Sequence, residues 1–405
     1  MSKGNMLGPV RKWGLVPSNR HANRLSDYFF TEGRICNFGI SGQADKHLLL
    51  YDVLFDAAGR MPVLILHNGS TAMRSEVALV WADKFGSAEA EGRWDTHEGG
   101  FEPFLMLDRV EITQFLRKMA EAKGFTCNVY FNRIVGAFLK ILDKLGCSYS
   151  LTGLNYLCSI ENNEEFRENV LELDCNESEK IRILADLGLS DERSQEQMEI
   201  LRMVVAQFAY EAKRCGWDSR MPVDEIDMMT AVEQNAVLLL DISAARYPLM
   251  MIYLAEGLRL MDRKEMLLLI DDVCLDQSEI AKILREAGPE LRFGILGSNI
   301  LDVIGGKKEE AQQFCDKLDC LVLLRHATGT AAQAVAELAG THEVERETIT
   351  KGMGKKAFAF LPDMFNEGKA VTKEDRFRIQ PEELVKLPDN RAILLDMRTG
   401  EIVYF

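Results

Sequence analysis

Five short apolar runs constrain this chain more than any other feature. They are "PVLILH" (Pro62–His67), "NAVLLLDI" (Asn235–Ile242), "EMLLLIDD" (Glu265–Asp272), "LRFGILGSN" (Leu291–Asn299) and "DCLVLLRH" (Asp319–His326). Their apolar residues are nearly continuous rather than alternating. That pattern suits parallel strands buried on both faces. Helical patterns separate the runs: Leu50, Val53, Leu54 and Ala57 recur at helical spacing before Gly59, and "PLMMIYLAEGLRLM" is apolar all round. "RICNF" reads as a further strand ahead of the first helix, and "RAILLDMRTGEIVYF" closes the chain as two strand-like runs around a glycine turn. Alternation of this kind predicts an α/β fold, a mostly parallel sheet with helices on both faces.

From about 110 to 220 the texture becomes purely helical. The expected organisation is therefore an N-terminal extension (1–33), an α/β core in two pieces (34–109 and 221–405), and an inserted all-α domain (110–220) between the second and third strands, separable from the core. Between Glu161 and Glu199 the insertion holds 13 acidic residues against 4 basic ones. This run is either a solvated helical face or a docking surface for a basic protein partner.

Composition narrows the function classes. The 405 residues carry a net charge of −15, which argues against broad adhesion to nucleic acid or anionic lipid. Nine scattered cysteines without a CxxC pair predict neither disulfides nor a zinc site, the usage of a reducing cytoplasm. No stretch approaches the roughly 20 apolar residues of a membrane span. The opening "MSKGNMLGPVRKWG" lacks the apolar segment of a signal peptide.

Two stretches bear on chemistry. "FGISGQADKH" has the rhythm of a phosphate-binding loop between strand and helix, with Gly39, Ser41, Gly42, Asp45, Lys46 and His47 as candidate contacts. A working loop reads G-x-x-x-x-G-K-[ST]. Counted from Gly39, Ala44 takes the second glycine position, Asp45 the lysine position and Lys46 the hydroxyl position. One residue later Lys46 is in place, but Ile40 and Asp45 replace both glycines and His47 the hydroxyl. An aspartate in the lysine position turns attraction into repulsion, about 4 kcal/mol at ~4 Å in a medium of effective dielectric ~20. The second stretch is Asp271–Asp272, closing an apolar strand. At a parallel sheet's carboxyl edge such carboxylates hold Mg2+ and position a water; alternatively they begin a loop and cap the next helix.

The order of these elements, with "LRFGILGSNILDVIGG", "LDCLVLLRHATGTAAQAVAELAGTHEV" and the tail "IQPEELVKLPDNRAILLDMRTGEIVYF", resembles the cytoplasmic ATPase of type IV coupling proteins. These are ring motors of bacterial conjugation and type IV secretion in the RecA-like HerA/FtsK superfamily. The resemblance covers most of 34–405 and is carried mainly by the late segments. It implies a RecA-like P-loop NTPase core. Asp271 then resembles the magnesium-associated aspartate, and Asp272 stands where the family has its catalytic glutamate. Asn299 falls near the family's polar sensor. Arg325 could face a neighbouring subunit's nucleotide or stand in solvent at a strand end. The turn "HNGS" keeps only the glycine of the family's Asp-x-Lys-Gly-like turn, and the family's N-terminal membrane helices have no counterpart.

ATP and Mg2+ are the implied cofactors, and the eroded loop makes impaired hydrolysis the expectation. Implied partners are conjugation or secretion proteins, within a homo-hexamer or docked on an active motor, in the cytoplasm or peripheral to a membrane-bound complex. Lys307, Lys308, Lys351, Lys355 and Lys356, in expected loops, suit either DNA contacts inside a pore or plain solvation. Three functions follow: a non-catalytic coupling-protein homologue, an active translocase of DNA or protein, and a RecA-like regulator or scaffold.

Overall fold

The computed structural model describes residues 25–87, 91–98, 100–217, 226–243, 248–261, 264–275, 279–305, 313–353 and 365–405, with the backbone path alone over 342–353 and 365–375. Its centre is a nine-stranded sheet. In chain order its first strands are β3 (Phe38–Ser41), β4 (Val63–His67), β5 (Arg93–Asp95), β6 (Val237–Asp241) and β7 (Met266–Asp271). β8 (Leu291–Gly297), β9 (Cys320–Leu323), β12 (Ile393–Asp396) and β13 (Ile402–Tyr404) follow. They lie in the order β13-β12-β9-β3-β8-β7-β4-β6-β5. From β9 to β5 every pairing is parallel; β12 and β13 form an antiparallel hairpin on the β9 edge.

Period-2 alternation sorts each strand between two cores. Val63, Ile65, Val237, Leu239, Leu267 and Leu269 face one side, against α1 (Tyr51–Ala57) and α2 (Thr71–Phe85). Leu64, Leu66, Leu238, Leu240, Leu268 and Ile270 face the other, against α9 (Met228–Glu233), α10 (Pro248–Leu260) and α11 (Glu279–Glu286). The continuous apolar runs are thus explained by helices on both faces.

The strand expected at "RICNF" is divided. β2 (Arg34–Ile35) turns back onto β1 (Phe30–Thr31), and β3 starts only at Phe38. Asn37 causes the break: its backbone N–H donates to Asp319 Oδ2 at 2.9 Å, and its side-chain oxygen accepts from Phe293 N–H at 3.1 Å. A short strand unforeseen from sequence, β5, also precedes the helical insertion, so the insertion follows three strands of the main sheet rather than two.

That insertion comprises α3 (Arg109–Ala122), α4 (Val129–Lys144), α5 (Leu151–Cys158), α6 (Asn163–Leu171), α7 (Glu177–Leu187) and α8 (Glu192–Arg214). Asp108, Asn128, Ser150, Asn162, Asn176 and Asp191 cap their N-termini in that order, each accepting backbone N–H bonds. Its apolar faces join the core of the α10 side without a gap. At the junction Tyr253 packs against Phe101, Phe104, Phe115, Phe208 and Trp217. The buried Glu211 carboxylate on α8 accepts from Leu249 and Met250 N–H at 3.0 and 3.1 Å, so the insertion caps the first turn of α10.

β10 (Thr341–Met353) and β11 (Phe365–Phe377) pair only with each other, as a two-stranded ribbon outside the main sheet. Lys351 was expected in a loop and lies instead within β10. Lys307, Lys308, Lys355 and Lys356 lie outside the described residues. Among the described residues no helix is long and apolar enough to cross a membrane.

Candidate functional site

Parallel strands bring their carboxyl ends to one edge, so the residues that close β3, β4, β6 and β7 meet there whatever their distance in sequence. The segment after β3 does not run straight into a helix. Gly42 takes a φ of 139°, a 3-10 turn covers Lys46–Leu50, and α1 follows. A Cβ on Gly42 would stand 2.6 Å from Leu324 Cβ and 2.8 Å from its carbonyl carbon. Close approach to the end of β9 therefore requires this glycine, independently of any phosphate.

The loop's own donors are directed inward. Gly42 N–H donates to Gly297 O and Gln43 N–H to Arg325 O, both at 2.9 Å. Lys46 N–H donates to Ala44 O at 2.5 Å and Leu48 N–H to Asp45 O at 3.2 Å. A phosphate cradle needs such N–H groups free and convergent. Asp45 is exposed and makes no capping bond at the head of the 3-10 turn.

Lys46 and His47 swing over the end of β7. Lys46 is buried, 4% exposed, and its ammonium bonds Asp272 Oδ2 and stands 3.3 Å from Asp271 Oδ1. His47 Nε2–H donates to Asp271 Oδ2 at 2.8 Å. Asp271 is fully buried, and burial pushes its carboxyl up. The His47 hydrogen bond and the Lys46 charge outweigh burial, and the net value lies below the ordinary carboxylate range. Asp272 adopts φ 52° and accepts from Ser298 N–H through Oδ1 at 2.9 Å, which fixes its direction. Four of the sequence-derived candidates thus form one cluster.

The others stand elsewhere. Ser41 Oγ accepts from Ile300 N–H at 3.1 Å and donates to His326 Nε2 at 3.0 Å. His326 Nδ1 lies 2.8 Å from Leu324 O, a carbonyl that can only accept, which places the ring proton on Nδ1. Both side chains are buried, and burial pushes His326 down, toward its neutral form. Gly39 packs beneath Ile300 and Leu321. Asn299 caps the short helix α12 (Ile300–Ile304) by accepting from Leu301 N–H at 3.2 Å. The Arg325 side chain pairs with Asp389 at 3.0 Å, within the same chain.

Sequence reasoning missed a second row of polar groups on this edge. His67 at the end of β4 is in register with both Asp241 on β6 and Asp271 on β7. Its Nδ1 accepts from Ser70 N–H at 3.1 Å, while buried Nε2 has no hydrogen-bond partner among the described residues. Burial pushes His67 down, against the opposing pull of Asp241 and Asp95. Asp241 accepts from Gly69 and Ser243 N–H and from His97 Nε2–H, the last at 2.5 Å. Glu76 on α2 is pushed up by burial, with His47 acting against it. The signal was available: "PVLILH" ends on His67 and "VLLLD" on Asp241, polar residues closing apolar runs just as in "LLLIDD".

For Mg2+ and nucleotide the fit is poor. Among the described residues Asp271 Oδ1 is a buried acceptor without a hydrogen bond, as a metal ligand would be, but the Lys46 ammonium already stands beside it and on Asp272. A divalent ion at about 2.1 Å from that oxygen would sit against a positive charge.

No protein-family model and no curated protein matches the chain. Among solved structures it is similar to the bacterial conjugative coupling protein TrwBdeltaN70 in its unbound monoclinic form, with a TM-score of 0.54 at 14% identity over 91% of this chain and 83% of that one. The trigonal form of the same protein, in complex with sulphate, gives 0.50 at 13% identity over 91% and 84%. The chain therefore has the coupling-protein fold, a RecA-like α/β core with an all-α insertion.

Proposed function

We propose that this chain is a coupling-protein-like subunit impaired in nucleotide hydrolysis, acting in substrate recruitment or in DNA or protein transfer within conjugation or secretion machinery. One observation carries the loss of hydrolysis: the lysine of the phosphate-loop region is spent on Asp271 and Asp272. A hydrolytic site needs that ammonium on the outer phosphate oxygens and one carboxylate on the metal. The inward bonds of Gly42 and Gln43 act in the same direction.

Recruitment is read from the insertion. A cavity of about 380 Å³ beside α8 is lined by Glu161, Glu192, Glu196, Glu199, Met198 and Arg202, among others. Arg202 is already engaged by Glu199 and by Ile160 O. The remaining carboxylates suit a basic protein segment and would repel nucleic acid at short range. DNA contact, if made, belongs to the lysines at 307, 308, 351, 355 and 356.

Steady-state ATP hydrolysis with Mg2+ tests the reading. The expected turnover of the purified chain equals that of Asp271→Ala. Robust turnover abolished by that substitution would overturn it and make the chain an active translocase.

A further inference from the structure

We infer that the Lys46 ammonium is a built-in replacement for a divalent cation, and that removing its charge turns the Asp271–Asp272 pair into a metal site. The inference deepens the non-hydrolysing reading above and rests on it.

The two carboxylates are arranged around one point before any ligand arrives. Asp271 is held by the buried end of β7, by His47 on Oδ2 and by the Ser70 side chain, while Oδ1 faces the Lys46 ammonium at 3.3 Å with no hydrogen bond among the described residues. Asp272 is held by its φ of 52°, by its N–H bond to Leu296 O at 2.9 Å and by Ser298 on Oδ1, leaving Oδ2 directed at Lys46. A single ammonium answers both free oxygens. A carboxylate buried this deeply needs a compensating positive charge. Here that charge is attached through the 3-10 turn Lys46–Leu50, anchored by the buried Leu49 and Leu50. Free metal in solution must displace a tethered competitor, which has a high effective concentration at all times. Two oriented carboxylates without the ammonium are hard oxygen ligands of the kind Mg2+ and Mn2+ take.

Lys46→Met keeps most of the side-chain volume and deletes the charge. Mn2+ titration of the full chain, followed by loss of the free-ion electron paramagnetic resonance signal, reads binding directly. Thermal unfolding with EDTA or with Mn2+ reads its effect on stability. The variant is expected to bind one Mn2+ at least 10-fold more tightly than the natural chain, and to regain with Mn2+ the unfolding temperature lost in EDTA. The double variant Lys46→Met/Asp271→Asn should be insensitive to Mn2+ and unfold above the single variant in EDTA. Equal Mn2+ affinity in the natural chain and Lys46→Met would overturn the inference. So would a Lys46→Met chain that fails to fold with and without Mn2+ while the double variant folds. Either failure leaves the absence of ATP turnover untouched, whereas turnover in the natural chain would remove the parent reading itself.

Discussion

At the scale of single residues, polar groups that the sequence offered for ligand binding are used to hold strands and loops together. Ser41 is the clearest case, because its hydroxyl bridges Ile300 N–H and His326 Nε2 with no exposure to solvent. Ser41→Ala leaves a buried donor and a buried acceptor unmet, so a loss of about 2–4 kcal/mol is expected in denaturant titration. A smaller loss, within ~0.5 kcal/mol, would show that the site relaxes or hydrates. The two depressed histidines predict a pH dependence. His67 and His326 have folded values below the unfolded ~6.5, so the unfolded chain takes up protons first as pH falls. Stability should therefore fall as pH drops through ~6.5 and below, levelling under their folded values. Asp271 acts in the same sense in a more acidic window: its contribution is present above the unfolded ~3.9 and fades as pH falls toward its lower folded value. The measurement is unfolding temperature against pH, in which His326→Gln should flatten the decline between pH ~7 and ~5. An unchanged slope would mean that His326 does not titrate with unfolding.

At the scale of elements, the contact between α8 and α10 fixes the insertion. Glu211 caps α10 by accepting from Leu249 and Met250 N–H, and burial pushes its carboxyl up despite these bonds. Tyr253 on the same helix donates its hydroxyl to Pro103 O at 2.9 Å while five aromatic rings surround it. Tyr253→Phe removes only the hydroxyl and should cost about 1–2 kcal/mol. Tyr253→Ala opens a cavity at the junction and should cost about 3–5 kcal/mol. Near-UV circular dichroism during denaturation distinguishes the cases: one cooperative transition for Tyr253→Phe, and an early separate loss of aromatic signal if the alanine variant undocks the insertion.

At the scale of the molecule, the division into a core (34–109 with 221–405) and an insertion (110–220) is our proposal, and the shared apolar core qualifies it. Leu64 and Leu66 on the sheet and Tyr253, Leu254 and Leu258 on α10 belong to the same cluster as Phe115, Phe138 and Phe208 of the insertion. Deleting 110–220 and closing the gap with a short linker would expose that surface. The expected product binds a hydrophobic dye and unfolds without a sharp transition; a monomeric, cooperatively folding product would show that the units are independent. Oligomeric state is a separate measurement, with a ring expected from the coupling-protein reading and a monomer weighing against it.

The apolar runs by themselves determined the parallel sheet and its two helical layers, because a strand buried on both faces can afford no polar alternation. Helical periodicity likewise determined an all-α insertion. Local sequence also showed that the phosphate loop lacks its motif, and that Asp271 and Asp272 end a strand. Only the tertiary structure decided what these residues touch. Strand order is a matter of long-range pairing, and it brings Lys46 and His47 to Asp271 across more than 200 residues of chain. The same order sets His67 between Asp241 and Asp271, contacts for which no local pattern codes. The division of "RICNF" at Asn37 had the same origin, since its partners Phe293 and Asp319 lie on the far side of the sequence. Backbone periodicity is written in neighbouring residues, whereas charge compensation depends on which strand ends the fold sets side by side.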